Sequence, residues 1–165
     1  MVILVYTWND LNNSLRQDLL GVIVTKFGSG KSTEQEKHDM AAQMIKQRVF
    51  EGAEEYDAFL NIGEEGRVSA GVVEGKELYP DIVGLSKDTK KPVIIGEVET
   101  EESVSESQVD RWKKYASLGL TFCLYVPEPV AEKAANLIAS NDIKAKLRSY
   151  KIVDDKIVIK IIYIF

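Results

Sequence analysis

The sequence predicts a mixed α/β fold, in which helices flank one β-sheet. Three short apolar segments joined by polar connections are typical of antiparallel strands: residues 56–62, 78–85 and 92–98. A nearly uninterrupted apolar segment at residues 120–126 indicates a strand that is buried on both faces. Segments with helical periodicity lie before and after the three strands. The order of these elements therefore favours helices packed on a single sheet.

The length and composition are those of one globular domain. The chain has 165 residues, of which 45% are hydrophobic and 28% are charged, which excludes the disordered class. We expect a single domain over residues 1–165, with a core that needs no disulfide. The lone cysteine, Cys123, is expected to be a small core residue. The apolar start of the chain is too short for a signal peptide or a membrane span, which predicts a cytoplasmic protein.

The formal net charge of −5 conceals an uneven distribution of charge along the chain. Residues 51–110 contain five basic and sixteen acidic residues, whereas residues 111–165 contain ten basic and five acidic residues. An acidic centre beside a basic C-terminal third suits a metal site flanked by a phosphate-binding face. An ordinary solvated surface explains the same distribution equally well, so both interpretations stay open.

Two helices are predicted before the first strand. Apolar residues at helical spacing predict a helix over residues 9–26, with its apolar side on the sheet. A glycine-containing break follows, and a second helix is expected from about residue 32 to about residue 51. Two pairs of residues at its start have the spacing of a capping box: Ser32 with Gln35, and Thr33 with Glu36.

The middle of the chain contains a loop and a third helix. Residues 63–75 have the glycines of a hairpin loop, with a short strand expected around residues 68–73. After the strand 92–98, Ser103 or Ser105 opens a helix that ends near residue 118. Ser103 and Glu106 have the spacing of another capping box.

The C-terminal third contains a helix and a hairpin. Pro127 begins the helix, which is expected to reach Ser140. Two strands over residues 148–153 and 156–164 meet at a turn formed by Asp154 and Asp155. The last strand is rich in β-branched residues, so its edge is a candidate surface for a homodimer. A strand covered within the monomer's own sheet explains the same residues.

Carboxylates lie at the ends of two of the apolar strands. Asp81 precedes Glu97 by sixteen positions, and a tight polar connection joins their strands. Because such strands pair antiparallel, we expect the two carboxylates to converge. Oxygen ligands with positions left open for water suit Mg²⁺ or Mn²⁺ better than Zn²⁺. These residues therefore predict a divalent-metal site, although surface carboxylates at strand ends are the alternative interpretation.

The order of elements and these residues resemble the PD-(D/E)XK nuclease superfamily. Its restriction-endonuclease-like core is a helix, a three-stranded meander, a helix and a fourth strand, which here covers residues 32–126. Pro80 and Asp81 resemble the PD element, and Glu97 and Glu99 occupy the first and third positions of the tripeptide. The resemblance implies that Asp81 and Glu97 bind Mg²⁺ or Mn²⁺ and that the protein hydrolyses phosphodiester bonds in DNA.

The resemblance also implies a carboxylate on the helix before the meander. Glu36 is the first candidate, because it begins a stripe with Met40 and Met44 that is expected to face the sheet. Glu36 would then complete the metal ligands, with Glu34 as the second candidate. The only histidine, His38, is interpreted as a solvated or capping residue.

Several family members carry Gln-x-x-x-Tyr on the helix after the tripeptide. This chain has Gln108 followed four residues later by Trp112, so the two side chains share a helix face. The resemblance implies that Gln108 belongs to the catalytic site. A surface position for Gln108 and a core position for Trp112 are the alternatives.

The main departure from the family is Glu99, which occupies the place of the motif lysine. Glutamate cannot stabilise negative charge as lysine does, but it can accept a proton or bind a metal. Glu99 is therefore either a general base or the mark of a member that does not cleave. A third possibility is that a displaced base on the following helix substitutes for the lysine, with Arg111 and Lys113 as the nearest candidates.

Three functions consequently stay open. The first is a metal-dependent nuclease, with Asp81, Glu97 and Glu99 around the ion. The second is a non-catalytic module of the nuclease fold that binds nucleic acid or a protein partner. The third is a phosphatase-like hydrolase that uses the same carboxylates.

Overall fold

The computed structural model describes residues 32–63 and 66–162. The helix predicted over residues 9–26 and the end of the strand predicted over 156–164 lie outside these ranges. The described residues contain the α-helices α1 (Glu34–Ile45), α2 (Val109–Ser117) and α3 (Ala131–Ser140). None of these helices has the length and apolar character needed to cross a membrane.

Helix α1 begins at one of the two predicted capping boxes. Thr33 is the N-cap residue, and Glu36 is its partner. The helix continues beyond Ile45 as a wider π-helical turn over Lys46–Phe50, so the helical segment ends one residue before the predicted end.

The strands form a six-stranded mixed sheet and a separate small hairpin. In chain order they are β1 (Tyr56–Leu60), β2 (Gly71–Val73), β3 (Lys76–Leu78), β4 (Ile82–Ser86), β5 (Pro92–Val98), β6 (Thr121–Pro127), β7 (Lys146–Val153) and β8 (Lys156–Ile161). The order across the large sheet is β1-β4-β5-β6-β7-β8, and β2 pairs with β3. The predicted α/β class is therefore confirmed.

The pairing directions in the sheet follow from the connections. Strands β1, β4 and β5 form an antiparallel meander; a short polar connection joins β4 to β5, and the segment that contains the β2–β3 hairpin joins β1 to β4. Helix α2 connects β5 to β6, and α3 connects β6 to β7, and both of these strand pairs are parallel. The tight turn at Asp154 and Asp155 joins β7 to β8 in an antiparallel pair, and both residues have positive φ angles, 49° and 56°. The predicted C-terminal hairpin is therefore confirmed, with β8 at one edge of the described sheet.

Two apolar cores lie on the two faces of the sheet. Neighbouring residues of a strand point to opposite faces, so Ile82 and Val83 of β4 belong to different cores. The core under α1 includes Ala41, Ala42, Ile45, Phe50, Ile82, Val98 and Tyr125. The core under α2 and α3 includes Val83, Ile95, Trp112, Phe122, Leu124, Leu137 and Ile138.

The strand predicted over residues 78–85 begins later than expected, at Ile82. Pro80 has no backbone N–H group, and its carbonyl oxygen accepts a hydrogen bond of 2.7 Å from the Asn61 side chain. The same side chain bonds both backbone groups of Val68, at 2.8 and 2.9 Å. Asn61 therefore fastens the loop before β4, while residues 76–78 pair with β2 instead. Asp81 is consequently placed directly at the start of β4.

The structure generates a prediction about Gly84, which lies in the middle of the meander. A Cβ atom at this position would lie 2.5 Å from Cγ2 of Ile94 and 2.8 Å from Cδ2 of Tyr56. We expect Gly84→Ala to lower the free energy of unfolding by about 1–3 kcal/mol, measured by urea denaturation, because the neighbours must move. The control Val72→Ala, at a side chain that is 61% exposed, should change it by less than about 0.5 kcal/mol. Equal values for the two variants would contradict this description of the meander.

Candidate functional site

Asp81 and Glu97 lie side by side where β4 begins and β5 ends. The antiparallel register pairs Ile82 with Gly96, so the preceding Asp81 lies opposite Glu97. The backbone N–H of Asp81 points to Oε2 of Glu97 at 3.4 Å, and Oδ2 of Asp81 accepts a hydrogen bond of 2.8 Å from the N–H of Val98. The structure therefore brings together the two carboxylates that the sequence singles out.

The carboxylate of Glu97 is almost completely buried. Its side chain is only 3% exposed. Burial raises the pKa of Glu97 well above its ordinary value, and the negative charge of Asp81 raises it further. Arg111 opposes both effects, because its Nη2 atom lies 2.8 Å from Oε1 of Glu97. The charge on Glu97 is thus only partly compensated by neighbouring groups.

Glu99 is also buried, and its carboxylate is fully engaged. Glu99 directly follows β5, two residues after Glu97, and the alternation of an extended chain places both side chains on the same face. Its Oε1 atom accepts hydrogen bonds from the indole N–H of Trp112 at 2.8 Å and from Nη2 of Arg111 at 3.2 Å. Its Oε2 atom accepts a hydrogen bond from the Ser103 hydroxyl. An acceptor with these partners is poorly suited to take a proton from water.

Ser103 was expected to cap the following helix, and this prediction is wrong. Its hydroxyl instead donates to Glu99 and accepts a hydrogen bond of 2.8 Å from the N–H of Thr100. The residue before the helical turn at Glu106–Gln108 is Ser105, and its side chain makes no capping bond. The requirement of a buried carboxylate for a donor outweighs helix capping at this position.

The structure separates the two cations that were candidates to replace the motif lysine. Arg111 bridges Glu97 and Glu99, whereas Nζ of Lys113 bonds Oδ1 of Asn141 at 3.0 Å. A guanidinium is protonated at any physiological pH, so Arg111 supplies positive charge rather than a base. Arg111 therefore belongs to a cluster with Asp81, Glu97 and Glu99, and Lys113 is not in contact with this cluster.

His38 joins the cluster from α1, although the sequence suggested only a solvated or capping residue. Its Nε2 atom lies 3.2 Å from Oδ2 of Asp81, and its Nδ1 atom lies 3.0 Å from Oδ1 of Asp39. The hydrogen bond to Asp81 raises the pKa of His38 to about 9. The imidazole is therefore positively charged at neutral pH, and no spacing in the sequence signals this contact because α1 crosses the sheet.

The remaining predicted carboxylate, Glu36, is used at the start of α1. Its Oε2 atom accepts a hydrogen bond of 2.7 Å from the N–H of Thr33, and its own N–H donates to Oγ1 of Thr33 at 3.1 Å. Glu34 pairs with Lys37. The residues that α1 buries against the sheet are Ala41, Ala42 and Ile45, whereas Met40 and Met44 are half-buried and Glu36 is exposed, so the expectation that Glu36 begins the stripe facing the sheet is wrong. Neither glutamate bonds to Asp81 or Glu97 in the described structure.

Gln108 and Trp112 have different surroundings. Trp112 is completely buried in the core, and its indole group reaches Glu99. Gln108 lies directly before α2 and is half-buried. Among the described residues its side chain forms no hydrogen bond to the cluster. The structure therefore brings together Asp81, Glu97, Glu99, Arg111 and His38, and it places Glu36 and Gln108 outside this set.

The described residues contain no group of three or more His, Cys, Asp or Glu side chains arranged to hold a metal ion. This finding bears mainly on Zn²⁺, which is bound by three or four protein ligands. Mg²⁺ is often bound by only one or two carboxylates, together with waters and substrate phosphates. The pair of Asp81 and Glu97 has the donor chemistry that such an ion requires.

The contact between His38 and Asp81 predicts a dependence of stability on pH. The folded-state pKa of His38 is raised above the ordinary value of 6.5, so its charged form stabilises the fold fully below pH 6.5. This contribution is lost as the pH rises through about 9. We expect the urea midpoint of the wild type to fall over this range and that of His38→Gln to fall less. Parallel pH profiles of the two proteins would contradict the contact, and NMR titration of the only histidine measures its pKa directly.

No protein-family model matches the chain, and no curated protein or solved structure has significant similarity to it. The contacts, burial and charges of the cluster are therefore the basis on which a function is inferred.

Proposed function

We propose that the protein is a metal-dependent nuclease of the restriction-endonuclease-like fold, which hydrolyses phosphodiester bonds in DNA. The observation that carries this proposal is the position of Asp81 beside Glu97, at the meeting ends of two antiparallel strands. A buried carboxylate such as Glu97, whose charge is only partly compensated by Arg111, is costly to stability and is typical of functional sites. A divalent cation would offset this charge.

The order of the elements also supports this fold. Helix α1 precedes the meander of β1, β4 and β5, and α2 then leads into β6, which pairs parallel to β5. The same order is expected of the nuclease core, with Asp81 and Glu97 at the corresponding strand ends. Under this proposal the β2–β3 hairpin, α3 and the β7–β8 hairpin would be additions to that core. Fold alone does not establish an activity, so the proposal depends on the carboxylates.

Asp81 and Glu97 are the proposed ligands of Mg²⁺ or Mn²⁺. Glu36 is left out of the ligand set, because its carboxylate caps α1. If Asp81 and Glu97 held such an ion, it would supply Lewis acidity to the scissile phosphate and to a water bound beside it. The hydrogen bonds that Asp81 receives from Val98 and His38 fix the orientation of its carboxylate.

The second candidate function is a module of the same fold that binds nucleic acid or a protein partner without cleaving. One observation favours it: the carboxylate of Glu99 is saturated by Ser103, Trp112 and Arg111. A protein without either the motif lysine or a free base at this position has lost two routes to activate water. Cleavage distinguishes the two functions, whereas metal binding alone does not.

The proposed activity is tested by cleavage of linear duplex, nicked, single-stranded and branched DNA in Mg²⁺ and then in Mn²⁺. We expect Asp81→Asn to lower the cleavage rate by about 100-fold or more, because a metal ligand contributes several kcal/mol to transition-state stabilisation. The matched control is Asp57→Asn, which removes a half-exposed carboxylate on β1 and should leave the rate unchanged. EDTA should abolish the activity of the wild type.

Both variants must retain the circular dichroism spectrum of the wild type. If the folded wild type cleaves none of these DNAs in either metal, the nuclease proposal is wrong and the binding module replaces it. Cleavage by Asp81→Asn at the wild-type rate would also contradict the proposal, because it would place the activity elsewhere or in a contaminant.

A further inference from the structure

We propose that Arg111 binds the phosphate of the DNA substrate at this site, and that Glu99 is a positioning residue that holds Arg111 beside Glu97. This inference rests on the proposed function, and it names the group that recognises the substrate. It also gives a physical reason for the replacement of the motif lysine by glutamate.

The guanidinium group of Arg111 lies between the carboxylates of Glu97 and Glu99. Its Nη2 atom lies 2.8 Å from Oε1 of Glu97 and 3.2 Å from Oε1 of Glu99. A lysine at position 99 would carry its ammonium group on the same face of β5, next to Glu97. Arg111 therefore delivers a positive charge from α2 to the region where the motif lysine would deliver it from β5.

The carboxylate of Glu99 is held in place by its neighbours. Three donors from three other residues converge on its carboxylate, which is buried. Trp112 is itself completely buried, so the indole N–H cannot turn to water. Glu99 thus has a fixed orientation. It can influence the site only through its contact with Arg111, which reaches Glu97.

Arg111 is more accessible to solvent than the two glutamates that it contacts. Its side chain is 45% exposed, whereas the side chains of Glu97 and Glu99 are 3% and 1% exposed. A guanidinium has five N–H donors in a planar arrangement that matches phosphate oxygens. In the described structure only Nη2 is engaged by the carboxylates, so further donors of Arg111 are directed to neither of them. A phosphate that approaches Asp81 and Glu97 from solvent would meet this guanidinium.

Lys113 provides a matched control on the same helix. It is also a cation, two residues further along α2, but it bonds Asn141 rather than the carboxylates. A general electrostatic effect of α2 on DNA would depend on both residues. A specific phosphate contact depends on Arg111 alone.

The first experiment measures binding rather than cleavage. The probe is a fluorescein-labelled DNA oligonucleotide in Ca²⁺, which takes carboxylate ligands, and its affinity is measured by fluorescence anisotropy over a series of salt concentrations. We expect Arg111→Ala to weaken binding by about 10-fold and to reduce the slope of log affinity against log salt by about one. Lys113→Ala should change neither quantity by a comparable amount.

The second experiment tests the positioning role of Glu99 by a double-mutant cycle on DNA affinity. Glu99→Gln keeps the size of the side chain but loses the charge that holds Arg111. We expect it to weaken binding in the wild-type background and to have no further effect in the Arg111→Ala background. Equal effects in the two backgrounds would show that Glu99 does not act through Arg111 and would overturn its positioning role. Added guanidinium chloride at low millimolar concentration should partly restore DNA binding to Arg111→Ala.

The outcomes separate this inference from the proposed function. If the wild type binds DNA through Arg111 but does not cleave, the nuclease proposal fails and the phosphate contact stands. If the wild type cleaves while Arg111→Ala and Lys113→Ala bind and cleave alike, the contact is overturned and the nuclease stands. A wild type that neither binds nor cleaves DNA overturns both.

Discussion

Burial of the carboxylates of Glu97 and Glu99, beside the partly exposed Asp81 at the ends of β4 and β5, is the constraint on which the surrounding structure depends. Each buried carboxylate needs donors or positive charge, because an uncompensated buried charge is strongly destabilising. The compensation comes from both sides of the sheet. Helix α1 supplies His38 to Asp81, and α2 supplies Arg111 and Trp112 to Glu97 and Glu99. The cluster thereby fixes both helices to the sheet, and its geometry depends on both.

The compensation is incomplete, and this imbalance connects the structure to a function. Glu97 faces Asp81 and shares a single guanidinium with Glu99. Burial and the negative charge of Asp81 raise the pKa of Glu97 well above its ordinary value, so its ionised form is unfavourable at this position. A sequence selected only for stability would place an amide or an apolar residue there, since either removes the burial penalty. Retention of the charge is expected where a cation binds during the activity of the protein.

The sequence predicted the elements well, since their signals are local. The meander and the buried strand β6 follow from apolar runs, and the final hairpin follows from the turn at Asp154. The approach of Asp81 to Glu97 was also accessible, because hairpin pairing brings strand ends together. Strand β4 begins later than predicted because the side chain of Asn61 bonds the carbonyl oxygen of Pro80, nineteen residues further along the chain. His38 was missed for a similar reason, because it arrives from a helix whose crossing position no spacing encodes. Arg111 was one of two candidates on the following helix, and the sequence did not distinguish it from Lys113.

Whether Asp81 and Glu97 bind a cation is measured by anomalous diffraction from crystals of the protein grown with Mn²⁺, which locates the ion. We expect an anomalous peak next to carboxylate oxygens of both Asp81 and Glu97, at about 2 Å, the distance typical of small divalent cations. We also expect Arg111 to stay adjacent to the ion and Glu99 to keep its bond to Trp112. Full occupancy of Mn²⁺ elsewhere, with no peak beside Asp81 and Glu97, would contradict the claim that this cluster is a cation site.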